Sequence, residues 1–437
     1  MTTAAAAFAA PPELAGRVVE PGHPRYRLLR STYTRVGSPA AVVLARDARD
    51  AAAALAAAQD QGLALTVRSG GHAMSGRSTN DGGVVLDLSG MNGVEVLDRA
   101  AGLVRLGPGA RWGAVAERLA RDGLAISSGD HGNVAVGGLA TGGGIGWLVR
   151  RYGLTVDNVR AAEVVLADGT QVRADERRHR DLFWAVRGAG AGVGVVTSVE
   201  IEAMPLRRIG VVEMAFEAKA DGKALVRWAA AMAASPREVT TGAFLARDGS
   251  RAVLVVTAAV AADDPEAVRA ALRPLLSGPR PLQAKARMAP YTALVSTAHE
   301  HRNAGQQRAS STSALLPEMT PEAARALMRA ARVLPGAMVH LRWIGGAPND
   351  VAADATAFAH RDAKVFASPL FPPPGTWDDL RRAWEPVWAH GPGSYVNFES
   401  TTGADAFDRS YPGATGARVK ELWRRYDPGG VFRPLPI

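Results

Sequence analysis

The sequence predicts an α+β fold in two unequal parts, and three observations predict it. Up to about residue 205, short apolar strand-like runs alternate with helical stretches, an alternation that an α/β arrangement of this part would also satisfy. Glycine clusters punctuate this part and thin out sharply near Pro205. From residue 206 to 393 the chain carries longer apolar runs and helix-like stretches and holds most of the tryptophans, as expected of a separate ligand-binding part.

In order, Val42 to Leu44 reads as a strand, and Asp47 is placed to cap the alanine-rich helix that ends near Gly62. The strand Ala64 to Val67 breaks into VRSGGHAMSG, Val67 to Gly76. Strands Val84 to Leu88 and Leu103 to Leu106 flank a partly alternating segment, Met91 to Leu97. A helix from Trp112 to Asp122 should stop at Gly123, in the position that favours a left-handed residue. Ala161 to Leu166 reads as a buried strand turned by Asp168-Gly169. Later come helical stretches at Ala218 to Ala234, Asp264 to Leu272 and Pro321 to Ala331, and a strand at Val253 to Val260. There is no internal repeat.

Composition narrows the function classes. A chain of 437 residues that is 47% hydrophobic and 21% charged has an ordinary globular make-up. The formal net charge is +9, but the arginines are scattered, so a nucleic-acid partner is not expected. Without cysteine, disulfides, thiolate metal sites and cysteine nucleophiles are excluded. The opening MTTAAAAFAAPP lacks a basic region and no window approaches the ~20 apolar residues of a membrane helix, so a cytoplasmic protein with no membrane partner is expected.

Two glycine-rich stretches carry chemistry. A strand that breaks into Ser69-Gly70-Gly71-His72 leaves backbone N–H groups uncrowded, which suits close approach of a phosphate; the competing reading is plain turn punctuation. The run Gly142-Gly143-Gly144-Ile145-Gly146 imitates a dinucleotide fingerprint, yet no G-x-G-x-x-G occurs, which counts against a nicotinamide-dependent dehydrogenase. Close helix packing is the other use of such a run.

The first of these, with SSGDHGNVAVGGLATGGGIGWLVRRYGLTVDNV at Ser127 to Val159, LFWAVRGAGAGVGVVT at Leu182 to Thr197, YVNF at Tyr395 to Phe398 and YDPGGVF at Tyr426 to Phe432, resembles the FAD-linked oxidases of the vanillyl-alcohol oxidase type, in their berberine-bridge-enzyme-like branch. The resemblance implies a two-part PCMH-type FAD-binding domain over 1–205 with its core from about 35. It also implies a substrate domain with an antiparallel sheet over 206–393, and a segment 394–437 that returns to the first domain.

It further implies covalent FAD, with His72 attached to the 8α-methyl carbon; the alternative is that His72 only hydrogen-bonds the cofactor. His131 stands where many members have a second, cysteinyl link, so that bond is impossible in its usual form. By position, Arg68, Ser69, Gly70 and Gly71 should cradle the pyrophosphate, and Gly137, Gly138, Gly142, Gly143 and Gly146 should approach it or the isoalloxazine. The glycine block should open a helix whose amides serve the pyrophosphate. Tyr152, Gly153, Leu154, Asp157 and Asn158 should lie beside the cofactor, and the Val196 backbone should meet the adenine end. Tyr395 and Asn397 should touch flavin or substrate, with Tyr395 the first candidate, and Tyr152 the second, for a proton acceptor of lowered pKa.

Val134 matches the position that admits oxygen to the flavin, and Arg342, Trp343, His360 and Arg361 are pocket candidates. Glu399 has no visible partner, and Gly192-Val193 and Gly430 depart from the family pattern. The implied activity is hydride removal from a C–H bond of a small alcohol, amine, sugar or secondary metabolite, with O2 reoxidising the flavin to give H2O2. A non-redox or binding protein that keeps flavin structurally is the second reading.

Overall fold

The computed structural model describes residues 8–248, 251–296, 303–305 and 308–432; the opening alanine run 1–7 and the last five residues, which bear on the terminal expectations, lie outside these. The fold is α+β and rests on three main sheets.

The first sheet has four strands in the order Val18–Val19, Ala41–Leu44, Val84–Asp87, Leu65–Arg68. Its last three strands are parallel, and the helix Ala48–Asp60 makes the crossover. Because helix and chain cover both faces, these strands read as continuous apolar runs: Val42, Val43, Val84, Val85 and Leu86 are fully buried. Asp47 caps the helix by accepting the N–H groups of Arg49 and Asp50 at 2.9 and 3.0 Å. The second sheet is antiparallel, five strands in the order Val94–Asp98, Leu103–Leu106, Val195–Glu202, Val159–Val165, Gln171–Asp175. Helices Trp112–Ala120 and Arg180–Ala189 share its core through Trp112, Leu119, Leu182 and Val186.

The third sheet has eight antiparallel strands drawn from residues 208–371. Alternation along Met338–Trp343 sorts its two faces: Val339, Leu341 and Trp343 bury against Trp228, Leu327 and Trp384 of three helices, while His340 and Arg342 face the other way. After Ser394 the chain runs back onto the first part. There Tyr411 donates to the Gly188 carbonyl at 2.9 Å, Trp423 to the Ala189 carbonyl at 3.3 Å, and Arg418 pairs with Asp181 at 3.0 Å. No helix among the described residues is long and apolar enough to cross a membrane.

Three expectations about elements are corrected. The helix expected from Ala218 begins at Lys223, because the strand Arg208–Ala218 takes the first residue and Gly222, at φ +73°, turns the chain. The helix expected to reach Asp122 stops at Ala120. The glycine block does not open a helix; it closes one, Val136–Gly142, since Gly143 and Gly144 sit at φ +145° and +84°, outside helical space.

Candidate cofactor and substrate site

The His72 loop leaves the sheet where Arg68 ends its strand. Gly71 is at φ +74°, and a Cβ there would lie 2.8 Å from the Asn303 amide, so only glycine lets the chain turn here. The turn delivers the His72 ring between two others: Tyr33 stacks on it at 5.1 Å, and His131 meets it at 5.8 Å, tilted by 45°. His131 is set by its own tight turn, in which its Nδ1 accepts the Asn133 N–H at 3.2 Å and its carbonyl accepts the Val134 N–H at 3.2 Å. The two histidines, 59 positions apart in the chain, thus share one wall.

The glycines form the adjoining wall. A Cβ on Gly137 would strike Ser69 Oγ, whereas one on Gly138 would meet nothing, a cradle left open beside Ser69 to Gly71. Asn397 and Tyr395 press onto the block: a Cβ on Gly142 would lie 2.6 Å from Asn397 Oδ1, and one on Gly143 2.7 Å from Tyr395 Cε2. The Tyr395 oxygen accepts the Gly144 N–H at 2.7 Å and the Asn397 Nδ2–H at 2.8 Å. Gly146 passes so close to the Ser128 carbonyl that any side chain would collide with it.

Several expected site residues also serve as internal braces or pack within the fold. The Arg68 side chain is 1% exposed, with Nε on Asp87 at 2.6 Å and Nη1 on the Ser31 carbonyl, which fixes the strand end from which the loop leaves, and its Nη2 is buried without a partner among the described residues. Asp157 and Arg361 hold each other at 2.7 and 3.0 Å, and Asp157 also accepts the Leu154 N–H, which fixes the turn after Gly153 at φ +80°. Asn158 braces the same turn through the Tyr152 and Leu154 carbonyls. Trp343 belongs to the helix-facing core, edge-on to Trp228, and His360 is packed edge-on against Phe358. Val196 pairs with Val164 inside its sheet, beside an irregularity at Thr197. Gly430, at φ +64°, occupies a left-handed position.

The proton-acceptor expectation is corrected in its physical premise. Burial pushes the Tyr395 phenol up to about 12, so its pKa is raised and not lowered. Tyr152 is also raised by burial, and lies in the electrostatic reach of Arg151, Glu238 and Asp263. Glu399 does have partners: Thr312, Ser394 Oγ at 2.5 Å and Arg409 at 3.1 Å converge on its buried carboxylate and pin the Tyr395 turn to the large sheet.

Sequence reading passed over Asp130 and His340. Asp130, next to His131, pairs with Arg342 of the facing sheet at 2.6 Å. The guanidinium also stacks on the Trp147 indole at 4.3 Å, in space left by Gly242 opposite it in the register. His340 stacks on Phe244 at 4.7 Å and meets Phe366 at 5.7 Å, and Phe366 touches Tyr395 at 6.1 Å, completing a ring of side chains around the site. Burial, with Arg342 second, pushes His340 down to about 4. Burial alone would raise Asp130, but Arg342 first and His340 next hold it below the usual carboxylate range.

A cradle open at Gly138, a glycine wall sealed by Tyr395 and a histidine pair at its edge fit a bound flavin dinucleotide. Comparison with known proteins points the same way: residues 39–175 match the family model described as FAD binding domain. The (R)-6-hydroxynicotine oxidase of Paenarthrobacter nicotinovorans is 38% identical over 203 residues, which is 46% of this chain and 44% of that protein. The chain therefore aligns with less than half the length of that relative. An uncharacterized FAD-linked oxidoreductase, YgaK of Bacillus subtilis (strain 168), is 26% identical over 444 residues and 96% of each chain.

Among solved structures, 6-hydroxy-D-nicotine oxidase from Arthrobacter nicotinovorans superposes with a TM-score of 0.84 over 98% of each chain at 25% identity. Glucooligosaccharide oxidase from Acremonium strictum, described with a 6-S-cysteinyl, 8α-N1-histidyl FAD, does so at 0.83 over 95% of each chain and 24% identity.

Proposed function

We propose that this protein is an FAD-dependent oxidase that carries its cofactor on His72 and removes a hydride from a C–H bond of a small molecule, with O2 as the second substrate. The observation that carries the reading is the His72–His131 pair at 5.8 Å, set against the glycine wall that Tyr395 closes. The backbone of Arg68 to Gly71 and the open face at Gly138 would hold the pyrophosphate, and Gly142 to Gly144 with Tyr395 and Asn397 would bound the ring system. FAD supplies the two-electron acceptor. The chain's residues exclude water and orient: Glu399 fixes the Tyr395 turn, and Gly144 and Asn397 aim the phenol oxygen. The eight-stranded sheet supplies the opposite wall, so residues 206–393 form the substrate domain and 394–437 belong with 1–205.

The absence of cysteine leaves a single histidyl bond, as against the cysteinyl-plus-histidyl linkage described for the glucooligosaccharide oxidase. Mass spectrometry of a tryptic digest should find the flavin mass on the peptide containing His72. Yellow colour released entirely by acid would exclude the linkage, and a visible band that no substrate bleaches anaerobically would exclude the oxidase.

A further inference from the structure

The Asp130–Arg342 pair is arranged asymmetrically. The Arg342 side chain is 1% exposed, and its Nε and Nη1 are buried without a partner among the described residues. The Asp130 side chain, which takes Arg342 Nη2 at 2.6 Å, is 33% exposed. The guanidinium is thus sealed between the sheet and the Trp147 indole, and the carboxylate stands in front of it. His340 adds no positive charge near neutrality, since it is held down to about 4. Coulomb energy falls with distance, so a ligand in front of the pair meets the carboxylate first and the buried cation at longer range. The partners of the pair are flanked by aromatic rings: Trp147 lies on the guanidinium, and Phe244, 37% exposed in the middle of the sheet, stacks on His340 of the same strand as Arg342.

We propose that Asp130 is the specificity-determining residue of the site, and that it selects an amine borne on an aromatic or otherwise apolar body. The proposal rests on the oxidase reading and narrows its substrate class. A protonated amine would bind opposite the carboxylate and then release its N–H proton to solvent. The C–H bond next to nitrogen breaks, its hydride passes with the electron pair to oxidised FAD, and the nitrogen lone pair forms the C=N bond of an iminium ion. O2 with one proton then takes up the hydride as H2O2, and water hydrolyses the iminium. Positive charge develops on nitrogen as the hydride leaves, facing a carboxylate that is already ionised and fixed, so the same residue favours binding and the transition state. Arg342 is a positioning residue: it keeps Asp130 ionised and in place without reaching the ligand.

The test compares three probes that share one ring, N-methylbenzylamine, benzyl alcohol and benzoate, by isothermal titration calorimetry of the flavin-loaded protein at pH 7.5. The amine should bind most tightly and benzoate least. Asp130→Asn should weaken the amine tenfold to a hundredfold, the range of one charge-assisted hydrogen bond, and leave the alcohol within threefold. Benzoate binding as tightly as the amine, no binding of the amine, or an amine affinity unchanged in Asp130→Asn would each overturn the proposal. The native trio decides the sign of the site even if the variant fails to fold. A protein with no flavin band would instead defeat the oxidase reading, which the spectrum of the same sample reports separately.

Discussion

At the scale of single residues, the site depends on side chains whose surroundings decide their chemistry. Val134 is half-buried against the core, one turn from the His72–His131 pair, and its carbonyl accepts the Trp112 N–H at 3.0 Å. A close-packed wall has no slack for an extra methylene, so Val134→Leu should slow reoxidation of the reduced protein by O2 while leaving anaerobic reduction nearly unchanged. Stopped-flow mixing with oxygenated buffer measures both; equal reoxidation rates would remove Val134 from the oxygen path.

His340 gives a pH dependence whose sign is fixed by its environment. Its folded value near 4 lies below the ordinary 6.5, so as pH falls the unfolded chain takes the proton first. The stability held above pH 6.5 is therefore withdrawn progressively down to about pH 4. His340→Phe keeps the stack on Phe244 and should flatten the Tm profile across that window; an unchanged slope would show that His340 is not responsible.

At the scale of elements, the segment from Gly142 to Gly146 is a strap threaded between fixed neighbours. A Cβ on Gly144 would collide with the Thr155 hydroxyl, at a φ of +84° that side chains rarely adopt, so Gly144→Ala should abolish soluble expression or lower Tm by more than 10 °C, a shift of roughly 3 kcal/mol or more in a domain this size. Gly138→Ala has open space and should fold normally, yet lose affinity for FAD; normal flavin content in that variant would refute the cradle.

That a glycine run meant close approach was legible from its letters alone. Its direction was not: whether glycines start or end a helix turns on the sign of φ, which Gly143 and Gly144 take from Tyr395 and Thr155 packed against them. The His72 loop was legible because a strand, two glycines and a histidine are contiguous. Asp157 with Arg361, 204 positions apart, Arg342 with Asp130, 212 apart, and Glu399 with Thr312, 87 apart, are pairings made by tertiary packing, so their members could be singled out or missed but not assigned as brace or ligand.

At the scale of the whole molecule, the two parts share apolar packing, in which Ile209, Val211 and Tyr291 join the cluster of Val104 and Trp112 and Ile145 and Val149 join that of Ile344 and Phe366, and polar pins cross the same boundary. Arg150, 4% exposed and just beyond the glycine strap, reaches into the large-sheet part and donates to four carbonyls: Gly345 at 2.8 Å, Pro236 at 3.1 Å, Val239 at 2.6 Å and Ser235 at 3.1 Å. Burial lowers its pKa to about 10, still charged at neutral pH. Arg150→Met would leave these acceptors buried and unpaired at about 1–3 kcal/mol per group, partly relieved by water, so a loss of roughly 3 kcal/mol or more is expected. Calorimetry should show a lower Tm and separation of the two parts into distinct transitions; a single unshifted transition would show that the pin is dispensable.

The wall that Tyr395 and Asn397 build against Gly142 to Gly144 joins residues about 250 positions apart, as the Gly144 to Tyr395 hydrogen bond records with a separation of 251. A ribosome delivers the histidine pair and the glycine strap long before it delivers the tyrosine that closes them. During synthesis the first 200 residues can form their sheets, but the pocket lacks a side until the last forty or so residues emerge and fold back onto the helix Arg180–Ala189. Such closure forms late, because the loop it closes spans more than half of the chain, and it completes the cofactor wall only once the last segment has docked. A chain cut before Ser394 lacks both that wall and the core side chains Phe407, Val419 and Trp423, and should never turn yellow when made with FAD; a yellow truncated protein would show that the wall is dispensable for holding the cofactor.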